Sequence, residues 1–215
     1  EICNNRMSIF DKFLRIIELG IFSIIIIVVI AASIIDSRFL TIDSWRAVFL
    51  AIPLILVMAM GQMMVIICRH VDISIGSILA FAAITIGFVF IHYPNTSLFM
   101  ALLITASVGT IMGLVNGIIV TRFNVHSIIV TLGTLSLYRG LVFIVSGGRQ
   151  IDRNDIPVHI ISFSQTSFLF SIPAILILSV IIVLITHLIM RHSVLGREIY
   201  ATGSNPEAAH LKGIN

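Results

Sequence analysis

Six apolar runs, at residues 19–35, 47–68, 73–91, 97–121, 127–146 and 167–190, restrict this chain more than any other feature. Each is near the roughly 17–25 residues that a helix needs to cross a bilayer. Hydrocarbon offers the backbone no water, so a spanning segment must satisfy its own N–H and C=O groups, and runs of this length read as helices. Composition agrees: 58% of the residues are hydrophobic and 11% charged, whereas soluble proteins average roughly 25% charged. The expected fold class is all-α, a polytopic membrane bundle of about six spans. The formal charge of +3 arises from few ionisable groups; it reflects charged loop ends facing membrane lipid rather than a nucleic-acid partner. Cys3 and Cys68 lie far apart, which suggests neither a disulfide framework nor a metal site.

The first run could pass for a signal peptide, because Arg6, Lys12 and Arg15 precede it. Asp11 and Glu18 interrupt that basic stretch, and more apolar chain follows the small residues at 31–33, so an uncleaved span is the reading preferred. The chain starts at Glu1, and Met7 is a candidate initiator. Orientation follows from Lys and Arg near the span ends. With the N-terminus in the cytoplasm, Arg6, Lys12, Arg15, Arg69, Arg122, Arg191, Arg197 and Lys212 lie inside, while Arg38, Arg46, Arg149 and Arg153 lie outside. Residues 1–190 are expected to form a transmembrane domain and 191–215 a cytoplasmic loop.

Three polar clusters interrupt the apolar background. In the first, Arg69-His-Val-Asp72-Ile-Ser74-Ile-Gly76-Ser77, the residues least resemble plain lipid-facing helix, and a broken or irregular helix is expected over 69–77. Asp72 beside Arg69 reads either as an interfacial ion pair or as part of a break near a transport path. The second joins Asn116-Gly117 to the stretch from Val125 through Thr131 to Thr134, and the third is Tyr138-Arg139-Gly140. A charge at mid-span costs at least roughly 2.5–3.5 kcal/mol, so Arg139 should face protein or water, unless it lies close enough to the end to snorkel. Gly109, Gly113 and Gly117 recur every fourth residue, a face suited to close helix packing.

The polar tail reads as a short helix over 206–212 with both ends marked. Asn205 is a good N-cap, Pro206 suits the first helical position, Glu207 complements the helix dipole and Gly213 is a natural stop. At about 1.5 Å per residue it would be about 10 Å long, too short to persist without something to dock against. An ordinary capped surface helix is the plainer alternative.

Glu207-Ala208-Ala209…Gly213 resembles the "EAA" loop of bacterial ABC importer permeases, whose coupling helix docks into a groove of the ATPase. Residues 69–77 resemble the "G-G-I-D-L-S-V-G-S" signature of monosaccharide permeases, with Arg69 and His70 where that family usually has small residues. Asn116-Gly117, the Thr131-Leu-Gly-Thr134 stretch, Tyr138-Arg139-Gly140, Ser146-Gly147-Gly148 and Gly196-Arg197 ahead of Tyr200-Ala-Thr-Gly203 continue the resemblance in order. Together they are similar to the membrane subunit of ribose/xylose/autoinducer-2-type ABC importers. Family members continue past the EAA loop, so the chain is expected to be a piece of a longer subunit.

The resemblance implies a multi-pass protein of the bacterial plasma membrane with no catalysis of its own. Cytoplasmic ABC ATPases, a second permease subunit (a homo- or heterodimer) and a periplasmic solute-binding protein would be its partners. Gly196, Arg197, Pro206, Glu207, Ala208, Ala209 and Gly213 would couple to the ATPase. Asp72, Ser74, Gly76, Ser77, Asn116, Thr131, Thr134, Tyr138 and Arg139 are the candidates for the translocation path. No G-x-x-x-x-G-K-[ST] loop is present, so ATP and Mg would bind a separate chain. An ion-driven secondary transporter would lean on buried carboxylates, for which only Asp72 is a candidate. An intramembrane enzyme lacks H-E-x-x-H and G-x-S-x-G. Hydroxyls, amides and aromatic faces suit a small neutral sugar, but nothing in the sequence identifies the solute.

Overall fold

The computed structural model describes the backbone of residues 9–165, 167–168 and 172–214, with side chains over 19–164 and 173–214. Cys3, Arg6 and Met7, and the side chains of Lys12 and Arg15, lie outside the described residues. The chain divides into two units, Glu1–Leu50 and Ala51–Asn215.

In the first unit, α1 (Ile9–Ile35) is followed by a single 3₁₀ turn over Ser37–Leu40 and the start of α2 (Ile42–Ile67). Asp36 caps the turn by accepting the Arg38 N–H at 2.8 Å. Trp45 stacks obliquely between Phe39 and Phe49, with ring centroids 6.0 and 6.4 Å away.

In the second unit, α2 ends at Ile67 and an irregular stretch leads to α3 (Ile75–His92). Then follow α4 (Leu98–Phe123), α5 (Ser127–Ser146), the short α6 (Val158–Gln165), α7 (Ala174–His192), α8 (Val194–Ser204) and α9 (Pro206–Leu211). Five of these helices (α2, α3, α4, α5 and α7) are long and apolar enough to cross a membrane, and 19–35 is a shorter apolar helical stretch. The all-α, polytopic architecture is as expected from the apolar runs.

Several elements differ from the sequence reading. Helix α7 begins at Ala174 rather than 167, after two two-residue strands, β1 (Ser167–Phe168) and β2 (Ile172–Pro173), that pair antiparallel with Ser167 opposite Pro173. Pro173 lacks an N–H and precedes the first helical turn, where no intrahelical donor is needed. Helix α9 closes at Leu211, leaving Lys212 as its C-cap. Helix α8 was not anticipated; Ser193, whose hydroxyl accepts the Gly196 N–H at 3.0 Å, starts it.

The packed centre is α3 held between α4 and α5. Its outward faces are apolar: Ile111, Leu114 and Ile118 of α4 and Leu137, Phe143 and Ile144 of α5 are all exposed. Its inward faces are small and polar, with Ser74, Ser77, Asn116, Ser127, Thr131 and Thr134 buried. Lipid is as apolar as leucine, so burying apolar side chains between helices gains little there, and small or hydrogen-bonding residues do the joining. The glycine stripe does not take part: a Cβ at Gly109, Gly113 or Gly117 would meet nothing within 4 Å. The packing role read from their spacing is therefore absent among the described residues.

Close backbone approach occurs elsewhere. A Cβ at Gly203 would collide with the Ile67 carbonyl oxygen, and one at Gly196 with that of Met190. These glycines seat α8 against the end of α2 and against the turn out of α7. Gly203→Ala should therefore lower the detergent melting temperature of the full-length subunit by the equivalent of about 1–3 kcal/mol. Gly109→Ala, in open space at a helix interior, should be neutral or stabilise by up to about 1 kcal/mol. Equal melting shifts for the two would contradict this packing.

Candidate functional site

The irregular stretch between α2 and α3 is built by two helix ends meeting. Helix α2 closes with paired bonds, His70 N–H to the Val65 carbonyl at 3.1 Å and Arg69 N–H to that of Ile66 at 2.9 Å. This is the closure that normally places glycine at the left-handed position. Here Arg69 occupies it, at φ 63°, a conformation that costs a residue with a Cβ about 1–2 kcal/mol. Helix α3 opens differently: the Asp72 carboxylate accepts both the N–H and the hydroxyl of Ser74, at 2.8 and 2.7 Å. A carboxylate at a helix N-terminus is favoured by the dipole and satisfies a free donor. Of the two readings of Asp72, the ion pair with Arg69 is not found among the described residues. Its oxygen holds the break, while the Arg69 guanidinium turns to the Ser204 carbonyl, 2.7 Å away.

From the break a chain of hydrogen bonds crosses the packed centre. The fully buried Ser74 hydroxyl accepts from Asn116 Nδ2 of α4 at 2.7 Å. Asn116 Oδ1 lies 3.2 Å from the Tyr138 hydroxyl of α5, whose proton can alternatively go to the Met112 carbonyl at 3.0 Å. Beside this chain, Ser127 Oγ accepts the Val71 N–H at 3.1 Å, and the Thr131 hydroxyl lies 3.4 Å from the carbonyls of Val71 and Ile128. Ser77 Oγ donates to the Leu135 carbonyl at 3.0 Å. Six of the nine path candidates, Asp72, Ser74, Ser77, Asn116, Thr131 and Tyr138, are thus tied around one break, from three separate stretches of sequence.

A cavity of about 320 Å³ opens beside this chain, lined by His70, Asp72, Asn116, Gly117, Thr131 and Ile199 among others. The remaining path candidates behave differently. Thr134 is buried but bonds within its own helix, to the Thr131 carbonyl at 3.4 Å. Gly76 is exposed on the first turn of α3 with open space around it. Arg139 is exposed, away from the polar chain, and lines a separate cavity of about 590 Å³ with Ile84, Phe143, Ser146, Arg149 and Ile151. It stands among residues at and just past the end of α5, as a snorkelling side chain would.

The tail carries the other candidates. Asn205 Oδ1 accepts the Ala208 N–H at 3.1 Å, Pro206 takes the first helical position, and Glu207 is exposed in the first turn. The far end closes with Ile214 N–H to the Ala209 carbonyl at 3.1 Å and Gly213 N–H to that of His210 at 2.9 Å, with Gly213 at φ 80°. Arg197 donates to the His192 carbonyl at 3.3 Å, at the end of α7. The two alanines part company: Ala209 is buried by the chain's own residues, whereas Ala208 is exposed. Sequence reasoning missed Gln62, whose buried Oε1 has no hydrogen-bond partner among the described residues; nothing in its apolar neighbourhood of sequence marked it.

Removing Asn116 leaves both Ser74 and Tyr138 with a lost partner. Asn116→Ala should destabilise the subunit by about 1–3 kcal/mol, whereas Tyr138→Phe, which deprives Asn116 Oδ1 of a donor but leaves the Met112 carbonyl served by its own helix, should cost less, about 1 kcal/mol. A double-mutant cycle read by thermal unfolding in detergent should give a non-zero coupling. Strict additivity would mean the chain of bonds carries no shared energy.

Comparison with known proteins places these elements in a family. The "Branched-chain amino acid transport system / permease component" family matches residues 45–215. The "Autoinducer 2 import system permease protein LsrC" of Yersinia pseudotuberculosis serotype O:3 (strain YPIII) is 33% identical over 181 residues, covering 84% of this chain and 50% of that protein. The protein of the same name from Yersinia pestis (strain Pestoides F) is similar to the same extent. The chain spans half the length of these curated relatives. No solved structure matches it. With its apolar helices, its motifs in order and a family match from α2 to the tail, the chain belongs to the branched-chain amino acid transport system permease family of multi-pass membrane proteins.

Proposed function

We propose that this chain forms part of the membrane subunit of an ABC importer in a bacterial plasma membrane, moving a small sugar or sugar-like solute delivered by a periplasmic binding protein. Two permease subunits together enclose the path. A separate cytoplasmic ATPase, which binds ATP and Mg, docks on α9, and residues 191–215 act as the coupling loop.

The observation that carries this reading is α9 itself. A six-residue helix is too short to be stable alone, yet both of its ends are capped and Ala209 anchors it from beneath. Its outer side offers Glu207, Ala208 and Leu211, the last 90% exposed. An apolar side chain held out on a rigid, slim helix suits a groove in a partner. The cavity beside Asp72, Asn116 and Thr131 supports the path, and the excess of Lys and Arg near the inner span ends supports a cytoplasmic N-terminus and tail.

Because Ala209 is used internally, the partner-facing test belongs to its neighbours. Ala208→Trp and Leu211→Asp in the full-length subunit should each reduce ATPase co-purification at least tenfold and abolish uptake, with membrane levels unchanged. A cysteine at Ser37 or Gln150 should react with an impermeant thiol reagent in intact cells, and one at Ser204 only after permeabilisation. Undiminished co-purification in both variants, or labelling of position 204 from outside, would refute the docking reading.

A further inference from the structure

Among the described residues, Arg69 joins both halves of the site by a charged hydrogen bond. Its backbone sits in the left-handed position that closes α2, and its side chain donates to the Ser204 carbonyl at 2.7 Å. Ser204 is the last residue of α8, one of the four whose carbonyls lack an intrahelical partner. A guanidinium there meets both a free acceptor and the negative end of the α8 dipole. Ser204 also adjoins Asn205, the N-cap of α9. One side chain therefore holds the corner between α8 and α9. The same residue, three positions before Asp72, starts the stretch that leads to Ser74, Asn116 and Tyr138.

The other ties at this corner are of a different kind. Gly203 seats on the Ile67 carbonyl by fit alone, and the Cys68 thiol lies a distant 4.0 Å from the Ile199 carbonyl. A fit sets the closest approach and holds by weak dispersion, whereas the charged hydrogen bond, though exposed, is directional and opposes displacement either way. A strained backbone in a residue with a Cβ persists where something over-determines it, and the bond to Ser204 is the candidate constraint.

We infer that Arg69 is a positioning residue for coupling, a latch through which displacement of the α8–α9 corner reaches the Asp72–Ser74–Asn116–Tyr138 chain and its cavity. This rests on the docking of an ATPase on α9 proposed above. Glycine is suited to the left-handed position, so Arg69→Gly removes the latch without threatening the fold, and Arg69→Lys restores a cation there.

The test uses the full-length subunit with its co-purified ATPase in nanodiscs. Hydrogen exchange of peptides spanning 68–77 and 204–214 is followed with and without trapping by Mg-ATP and orthovanadate. In the wild type, trapping should alter exchange in both peptides. In Arg69→Gly, the response at 204–214 should persist while that at 68–77 falls at least fivefold, with melting temperature equal or raised. Arg69→Lys should recover at least half of the response. An unchanged response at 68–77 in Arg69→Gly, or none there in the wild type, overturns the latch and leaves docking intact. No response at 204–214 in the wild type removes both.

Discussion

The Asp72 carboxylate at the start of α3 is the contact on which the rest depends. It accepts two hydrogen bonds from Ser74 and so fixes the direction in which α3 leaves the break. Ser74 is then oriented to accept from Asn116, and Asn116 to face Tyr138. Each group in this chain uses its polar capacity on the next, which is what hydrocarbon demands of any polar atom placed within it. The three central helices are held by these bonds and by small side chains, because their apolar faces gain no more from each other than from lipid.

The break and the tail use the same terminal geometry for different ends. Both α2 and α9 close with a residue in the left-handed region and the same pair of backbone bonds. At Gly213 that closure is nearly free of cost. At Arg69 it is strained, and the side chain that causes the strain also reaches the α8–α9 corner. The arrangement brings the tail, the break and the cavity beside them within a few side chains of one another. In a permease, that proximity is what would let work done at one surface be felt at a solute path.

Much of the site was legible beforehand because it rests on local rules. Capping preferences marked both ends of α9, and a carboxylate followed by serines after an apolar run marked the break. Asn116, Thr131 and Tyr138 stood out as polar residues inside spans. Partner choice was not legible. Arg69 and Asp72, three apart with opposite charge, read naturally as a pair, yet the backbone reverses between them and sends one side chain to α8 and the other into α3. Ala208 and Ala209 read as equivalent, although successive residues on a helix face about 100° apart and only one is covered.

The sequence by itself determined the apolar spans, the class of fold, the location of the break and the capped tail. These follow from hydropathy, from helix length against bilayer thickness and from side chains acting within a few residues of themselves. Tertiary structure alone decided that α3 lies between α4 and α5, that Gly203 rather than the Gly109–Gly113–Gly117 stripe makes the close contact, and that Arg69 caps α8. An apolar helix is content on every side in lipid, so its pattern does not say which face meets protein. That choice is made by a few polar atoms finding one another across more than forty residues of chain.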